Sequence, residues 1–242
     1  MKERFRVDQL LSRFGYCSRS EARFWVRGGR VMAAGEVVKQ ADQKVALTDV
    51  FIDGQPVDHP HGLLVVLNKP AGCVCSTDER EGANVFALVP PRWQLRNPAI
   101  TTIGRLDKDT TGVLLLTDQG ELVQRWTSPK HKVPKVYEVT LDKTPAPELV
   151  ALFASGSMRL EGEDKPCAPA GLEPGEGVKV RLTLTEGRFH QVKRMFALNG
   201  YLVTALHRSR FGEFTAEGLS PGAWRIASLP GALSVSGPGV TG

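Results

Sequence analysis

A polar loop between two apolar runs holds the residues of this chain that are best suited to chemistry. The loop carries Arg105, Asp107 and two threonines, and it joins residues 100–103 to residues 113–116. Both flanking runs are apolar or β-branched and are bounded by glycines, so each is predicted as a buried strand. Catalytic and binding groups concentrate on loops that rigid elements hold in place. The alternative is a structural turn in which the Asp107 side chain bonds its own backbone.

The size and composition of the chain are those of a globular protein. It has 242 residues, of which 41% are hydrophobic and 24% charged, which allows a medium domain plus a small one. Apolar runs are far shorter than the roughly 18 residues of a membrane span, so no membrane association is expected. The basic amino terminus lacks a following apolar segment. We therefore expect no secretory signal and predict a cytoplasmic location.

The cysteines and glycines give no sign of a metal or a cofactor. Cys73 and Cys75 are separated by one residue, which is too close for the usual zinc pair, and no second pair accompanies them. The chain also lacks a dinucleotide-binding glycine motif after a strand and a phosphate-binding P-loop. We expect four reduced thiols, no metal and no cofactor.

Positive charge is concentrated at the amino-terminal end. Residues 1–30 hold eight basic and three acidic residues, a balance of +5, which equals the net charge of the whole chain. The remaining residues therefore balance to zero. Such an asymmetry favours a polyanion-binding module at this end.

Two helices are predicted within this basic module. Apolar residues within 7–14 follow the spacing of an amphipathic helix, which Gly15 ends. Ser18 and Glu21 form a capping-box pattern that opens a second helix. Four arginines then recur every three or four residues within an arc of roughly 80°, which favours phosphate binding over a merely solvated face: Arg19, Arg23, Arg27 and Arg30.

The rest of the chain is predicted as a small sheet, a linker and a larger domain. Ala34-Gly35 and Asp53-Gly54 are turn signals between short strands, and residues 58–62 are a Pro- and Gly-containing hinge. Beyond it, residues 63–67 are continuously apolar, as in a buried strand, and residues 178–185 alternate as a half-buried strand does. Further elements are predicted at 120–127 (helix), 136–141 (strand) and 192–196 (helix).

Several stretches resemble known families. Arg6–Leu11, Cys17–Ala22 and Gly29–Val31 resemble the S4 RNA-binding domain. The larger domain is similar to pseudouridine synthases of the branch that modifies ribosomal RNA, and this likeness covers nearly all of the chain except the tail. It is carried by the strings Asn68–Gly72, Gly104–Gly120, Lys135–Tyr137 and Glu186–Phe196.

The resemblance implies an α+β protein with two domains. Residues 1–58 would form the small S4 (α-L) domain, residues 59–62 a linker, and residues 63–228 a synthase domain on a mainly antiparallel sheet. The Gly-, Pro- and Ser-rich residues 229–242 are expected to form a disordered tail.

The resemblance also implies roles for individual residues. Asp107 would be the catalytic carboxylate, Tyr137 would stack on the target base, and Lys193 would pair with Asp107. Arg105 would occupy the space that the base leaves or hold a phosphate, whereas Lys69 is predicted to be structural rather than an RNA contact. Further RNA-binding candidates are Arg6, Arg19, Arg23, Arg27, Arg30, Lys130, Lys132, Arg188 and Arg194.

The implied activity is the isomerisation of a uridine in ribosomal RNA. The strings Cys75–Asp78, Thr127–His131 and His190–Ala197 most resemble the 16S rRNA branch. The alternatives are a 23S rRNA enzyme and a non-enzymatic S4-type RNA-binding or ribosome-assembly protein. A zinc deaminase is excluded because its His-x-Glu and Pro-Cys-x-x-Cys strings are missing.

Three points stay open from the sequence. The substrate is either free ribosomal RNA or an assembly intermediate with ribosomal proteins bound. The carboxylate can act as a nucleophile at C1′ of the ribose or as a base at C2′. The oligomeric state is not encoded in any motif, and a monomer is expected.

Overall fold

The computed structural model describes residues 4–230, apart from the side chain of Glu79. These residues form a small amino-terminal domain and a larger domain built on one sheet. No helix within the described part of the chain is long and apolar enough to cross a membrane.

The small domain packs two helices against short strands. Strands β1 and β4 pair with each other, and a four-stranded sheet has the order β3-β2-β5-β6. The elements are β1 (Arg4–Arg6), α1 (Val7–Arg13), α2 (Ala22–Arg27), β2 (Val31–Ala33), β3 (Glu36–Val37), β4 (Lys44–Ala46), β5 (Val50–Ile52) and β6 (Gln55–Pro56).

Helix α1 and the predicted turns are confirmed. The apolar positions of α1 are all buried in the core of the small domain, and Phe14 caps the helix. Gly15 follows with φ of +73°, and a side chain there would clash with the carbonyl oxygen of Arg92. The β5–β6 turn has positive φ at both Asp53 and Gly54, as a type I′ hairpin requires.

Helix α2 is shorter than the arginine spacing suggested. The backbone N–H of Ser18 donates to Glu21 Oε2 at 2.8 Å, as in a capping box, but the α-helix begins only at Ala22. It ends at Arg27, because Gly28 and then Gly29, with φ of +69°, interrupt it. The prediction of four arginines on one helix is therefore wrong. Two lie on α2, one precedes it and one follows it.

The larger domain is built on a nine-stranded sheet. Its main path runs β11-β12-β10-β13-β9-β7-β15, while β8 pairs with β9 and β14 with β13. The strands are β7 (Leu64–Lys69), β8 (Thr101–Ile103), β9 (Thr111–Thr117), β10 (Lys135–Leu141), β11 (Gly171–Pro174), β12 (Lys179–Leu184), β13 (Val203–Phe211), β14 (Phe214–Thr215) and β15 (Trp224–Ile226).

The pairing is antiparallel except between β9 and β13, which run parallel. Four α-helices accompany the sheet: α3 (Pro91–Gln94), α4 (Gly120–Thr127), α5 (Glu148–Ser155) and α6 (Gln191–Leu198). Short 3-10 helices lie at Leu47–Asp49, Glu79–Glu81, Val85–Leu88 and Pro129–His131.

Strands β7 and β9 are buried on both faces, which explains their unbroken apolar sequence. In β7, Val65 and Leu67 point into the large core, whereas Leu64 and Val66 point into a second cluster on the opposite face. Helix α4 covers that second cluster. Strands β10 and β12 have only one covered face and therefore alternate between apolar and polar residues.

The predicted hinge between the domains is held by buried polar contacts. The Arg96 guanidinium donates to the carbonyl oxygens of Asp58 and His59 at 2.9 and 3.0 Å and to Asp118 Oδ2 at 2.9 Å. The Asp58 carboxylate in turn accepts from Trp93 Nε1 at 2.7 Å. These contacts attach the linker to the larger domain.

The predicted tail lies mostly outside the described residues. Leu229, at its start, packs against the second apolar cluster. Residues 231–242 are not described.

Candidate active site

The β8–β9 loop borders a cavity of about 380 Å³ on the surface of the larger domain. Its opposite wall comes from β10, from the segment between β12 and α6, and from β13. The residues that matter for its chemistry are Arg105, Asp107, Thr110, Lys135, Tyr137, Glu186, Arg188, Phe189, His190 and Arg208.

Asp107 is held by groups that are distant in sequence. One carboxylate oxygen lies 3.4 Å from His190 Nε2, and the other lies 3.7 Å from Lys193 Nζ. About a quarter of the Asp107 side chain is exposed. The carboxylate therefore makes tertiary contacts with the start of α6 while remaining accessible from the cavity.

Lys193 is closer to Asp109 than to Asp107. Its Nζ donates to both Asp109 oxygens, at 2.6 and 2.7 Å, and this hydrogen bonding holds the pKa of Asp109 below its ordinary value. The predicted pair of Lys193 with Asp107 is thus the longer of two ion pairs. Sequence reasoning missed Asp109, although it stands two residues after Asp107.

Tyr137 lies on β10 in the cavity wall and is largely buried. Its register partners are Leu182 on β12 and Arg208 on β13. The side chain belongs to the large apolar core. The sheet therefore fixes the position of a flat aromatic ring in the wall of the cavity that Asp107 also lines.

Lys69 supports the loop from beneath. It is fully buried at the end of β7, and its Nζ donates to the carbonyl oxygens of Pro70, Lys108 and Thr110 at 3.0, 3.3 and 2.9 Å. Burial lowers the pKa of Lys69. These contacts agree with the predicted structural role of Lys69.

Two further cations that were not among the predicted site residues are buried and line the cavity. Lys135 Nζ donates to the carbonyl oxygen of Val133 at 3.1 Å, and burial, with a smaller effect from Arg208, lowers its pKa to about 8. Arg208 donates through Nε to Val113 O at 2.8 Å, whereas its Nη2 has no hydrogen-bond partner among the described residues. The alternation of residues along β13 could have predicted that Arg208 is buried, because Arg208 shares the inward face of the strand with Leu206.

The other predicted RNA contacts of this domain differ in their surroundings. Arg105 is exposed at the cavity. Arg188 also lines the cavity, but its guanidinium binds Glu186 and the carbonyl oxygens of Lys165 and Pro166. Arg194 pairs with Glu163 at 3.1 Å. Lys130 and Lys132 are exposed after α4 and do not line the cavity.

The candidate arginines of the small domain are mostly paired. Asp8 binds both Arg6 and Arg19, at 3.0 and 3.4 Å, and hydrogen bonding to Arg6 lowers the pKa of Asp8. Arg30 binds Asp53 at 2.6 Å and lies 3.4 Å above the Trp25 ring.

Among the described residues, neither of the two arginines on α2 has an acidic partner of this kind. Arg23 lies over the ring of Phe24, with 4.8 Å from its guanidinium carbon to the ring centroid. Arg27 is exposed at the end of the helix. The acidic partners of the other arginines lie on α1 and in the β5–β6 turn. The spacing of arginines along α2 therefore could not predict these ion pairs.

No group of three or more His, Cys, Asp or Glu side chains in the described residues is placed to hold a metal ion. The cavity itself presents an accessible carboxylate, an aromatic ring and several cations.

The sequence and fold match a known family. Residues 63–198 match the family described as RNA pseudouridylate synthase, and residues 5–51 match the S4 domain. The chain belongs to the RNA pseudouridylate synthase family. The predicted combination of an S4 domain with a synthase domain of α+β class is confirmed.

Individual relatives cover almost the whole chain. Ribosomal small subunit pseudouridine synthase A of Escherichia coli K12 is 42% identical over 91% of this chain and 95% of its own length. The protein of that name from Haemophilus influenzae is 38% identical over 91% of this chain and 94% of its own. A solved structure described as a crystal structure of pseudouridylate synthase has a TM-score of 0.64 and 36% identity, covering 93% of this chain and 96% of that one.

Proposed function

We propose that this protein converts a uridine of 16S ribosomal RNA to pseudouridine, with Asp107 as the catalytic carboxylate. The observation that carries the chemistry is that the accessible Asp107 side chain lines the same cavity as Tyr137. The ribosomal small-subunit relatives, similar over nine-tenths of the chain, support the substrate.

The reaction rearranges one nucleotide without a co-substrate. The bond between N1 and C1′ breaks, the uracil turns, and a bond forms between C5 and C1′. C5 loses its proton and N1 gains one, so atoms and electrons balance with no oxidant or reductant. An ionised Asp107 supports either route, as a nucleophile at C1′ or as a base that removes the C2′ proton.

The target uridine reaches Asp107 by leaving its base stack. Flipping a base costs a few kcal/mol, which new contacts in the cavity must offset. The cavity volume of about 380 Å³ lies in the usual range for small-ligand sites. Tyr137 offers an aromatic face for stacking, and Arg105 is exposed where it can fill the vacated position or hold a phosphate.

Cations around the cavity complement the charge of RNA. Three cations that form no ion pair among the described residues line the cavity: Arg105, Lys135 and Arg208. Together their positive charge exceeds the negative charge of Asp107. Lys193 additionally offsets the charges of Asp107 and Asp109. A polyanionic ligand is thereby attracted to a site that itself needs an ionised carboxylate.

The S4 domain supplies further phosphate contacts in this proposal. The protein acts in the cytoplasm as a monomer, on RNA alone or on an assembly intermediate that carries ribosomal proteins.

The test is carbodiimide-based mapping of pseudouridine in 16S and 23S transcripts, each alone and with ribosomal proteins bound. We expect one new reverse-transcription stop in 16S RNA with the wild-type protein and none with Asp107→Asn. A stop confined to 23S RNA would retain the chemistry and overturn the substrate. No stop in any RNA or particle would favour a binding protein, and turnover by Asp107→Asn would overturn the role of Asp107.

A further inference from the structure

The segment between β12 and α6 places an aromatic pair at the mouth of the cavity. Phe189 is 67% exposed although it is entirely apolar. Its ring centroid lies 3.8 Å from that of His190, with the two planes 20° apart. Both residues line the cavity that holds Asp107. An exposed aromatic ring at a cavity offers a ligand a flat apolar face for stacking.

The backbone that carries this pair is held in an unusual conformation. His190 has φ of +47°, in the left-handed region that few residues other than glycine adopt. The next residue, Gln191, is buried. It accepts the Arg188 N–H at 3.0 Å and donates to Glu186 Oε1 at 2.6 Å. The rings are thus presented by a braced turn, and such strain is concentrated at functional sites.

The aromatic pair is continuous with the catalytic carboxylate. His190 stacks on Phe189 through its ring face, and its Nε2 lies 3.4 Å from Asp107 Oδ1. His190 covers one face of the Phe189 ring, and the large exposed fraction of Phe189 leaves the opposite face open. A flat ligand on that open face would continue the row of contacts that runs from Asp107 through His190 to Phe189.

The surrounding charge favours a nucleic-acid base as that ligand. Arg105 lines the same cavity, is exposed and forms no ion pair among the described residues, so the cavity that the open ring borders also presents a cation to phosphate. Proteins that hold unpaired nucleotides use this combination of an aromatic platform and cationic flanks. When one nucleotide is flipped out, its neighbour loses a stacking partner.

We propose that Phe189, backed by His190, stacks on the base next to the flipped uridine in the RNA. The contact rests on the proposed function and adds a positioning group to it. It holds the neighbouring nucleotide while Asp107 acts on the target, and it makes recognition depend on an unpaired base beside the uridine.

Binding of 16S rRNA, assembled with ribosomal proteins if mapping requires it, tests the contact in an Asp107→Asn background, where no turnover intervenes. Base–aromatic stacking predicts that Phe189→Ala weakens binding by roughly tenfold. Phe189→Leu keeps apolar volume without a stacking plane and should weaken binding similarly, whereas Phe189→Tyr should stay within about twofold. The control is Leu198→Ala, an equally apolar residue on α6 that is 55% exposed and does not line the cavity.

An RNA-side change identifies the base. Ligated 16S rRNA with a single abasic nucleotide 5′ or 3′ of the target should bind roughly tenfold more weakly at one of these positions. Phe189→Ala should suffer no further loss from the same abasic change. Additive losses at both positions, or equal binding by Phe189→Ala and Phe189→Tyr, would overturn the proposal.

Two further outcomes are distinguished by kinetics with Asp107 intact. A fall in kcat for Phe189→Ala with unchanged RNA binding would mean that the ring acts only through His190 on Asp107, and stacking would be excluded. Failure of the proposed function is detected separately, because wild-type protein would then form no pseudouridine in 16S rRNA. The inference fails when the wild type is active and Phe189→Ala matches it.

Discussion

Most of the candidate arginines of the S4 domain lie at the surface with acids or rings beside them, whereas Lys135 and Arg208 at the cavity of the synthase domain are buried. Arg30 and its partner Asp53 are both about half exposed, but Arg208 is 2% exposed and Lys135 8%. Exposed ion pairs contribute little because both members stay hydrated. A buried cation has lost its water and depends on the groups that the fold supplies.

The two domains can therefore meet RNA in different ways. An S4 arginine can exchange an acidic side chain for a phosphate at little cost, which gives adjustable and salt-sensitive affinity. The cations of the cavity cannot exchange partners freely, so they suit a single bound geometry. We infer that affinity is distributed over the S4 surface and that selection takes place in the cavity.

The largest effect is expected from breaking the most buried ion pair. Arg96 and Asp118 are 2% and 5% exposed and 2.8 Å apart, and Arg96 also fixes the interdomain linker. Arg96→Met should lower the free energy of unfolding by about 3–5 kcal/mol, measured by urea denaturation. The control Arg80→Ala removes an exposed pair with Asp78 and should leave the free energy of unfolding nearly unchanged. Equal losses would contradict the contrast between buried and exposed pairs.

The burial of Lys193 lies between that of the buried cations and that of the S4 arginines, with 28% of its side chain exposed. Lys193→Ala leaves two neighbouring carboxylates without their cation and should lower the single-turnover rate roughly 100-fold. Lys193→Arg keeps the charge and should retain most of the rate. Asp109→Asn serves as the matched variant, because it removes the closer partner and leaves Asp107 paired. A larger loss in Asp109→Asn than in Lys193→Ala would show that Asp109, not Lys193, is the group that matters.

Burial of Lys135 is expected to make the stability of the protein depend on pH. Its pKa is about 8 in the folded protein, below its ordinary value of 10.5, so the unfolded chain holds the proton more tightly between these values. Stability should therefore rise with pH from about 8 to 10.5, by at most about 1.4 kcal/mol per pH unit. Unfolding free energies of the wild type and Lys135→Met should converge over this range. If the free energies of unfolding of the two proteins changed in parallel with pH, a lowered pKa of Lys135 would be excluded.

The smallest effects are expected at the S4 surface. Arg27→Ala should weaken RNA binding only a few-fold and reduce the slope of log K against log salt by about 1, because one phosphate contact is lost. Asp53→Asn releases Arg30 from its ion pair and should leave binding unchanged or slightly stronger. Filter binding across a salt series measures both. A loss above 100-fold for Arg27→Ala would mean that S4 arginines also act as selective contacts.

Elements with strong local patterns were predictable from the sequence. The spacing of apolar residues in α1, the turn residues Asp53-Gly54 and the continuous apolar runs of β7 and β9 each reflect one local rule of backbone conformation or burial. Helix α2 shows the limit of such rules. Arginine spacing suggested a longer helix, but Gly28 and Gly29 interrupt it, and the glycine signal was the stronger one.

The sequence by itself determined the class of the protein, the two-domain order and the loop that carries Asp107, because these follow from local strings and periodicity. Only the tertiary structure decided that Lys193 lies closer to Asp109, that Asp8 and Asp53 accompany the S4 arginines, and that Arg208 is buried behind the cavity. The parallel pairing of β9 and β13 sets Arg208 opposite Gly112, where a side chain on Gly112 would clash with the Arg208 backbone. Contacts between residues so far apart depend on which strands become neighbours, and no local pattern specifies that choice.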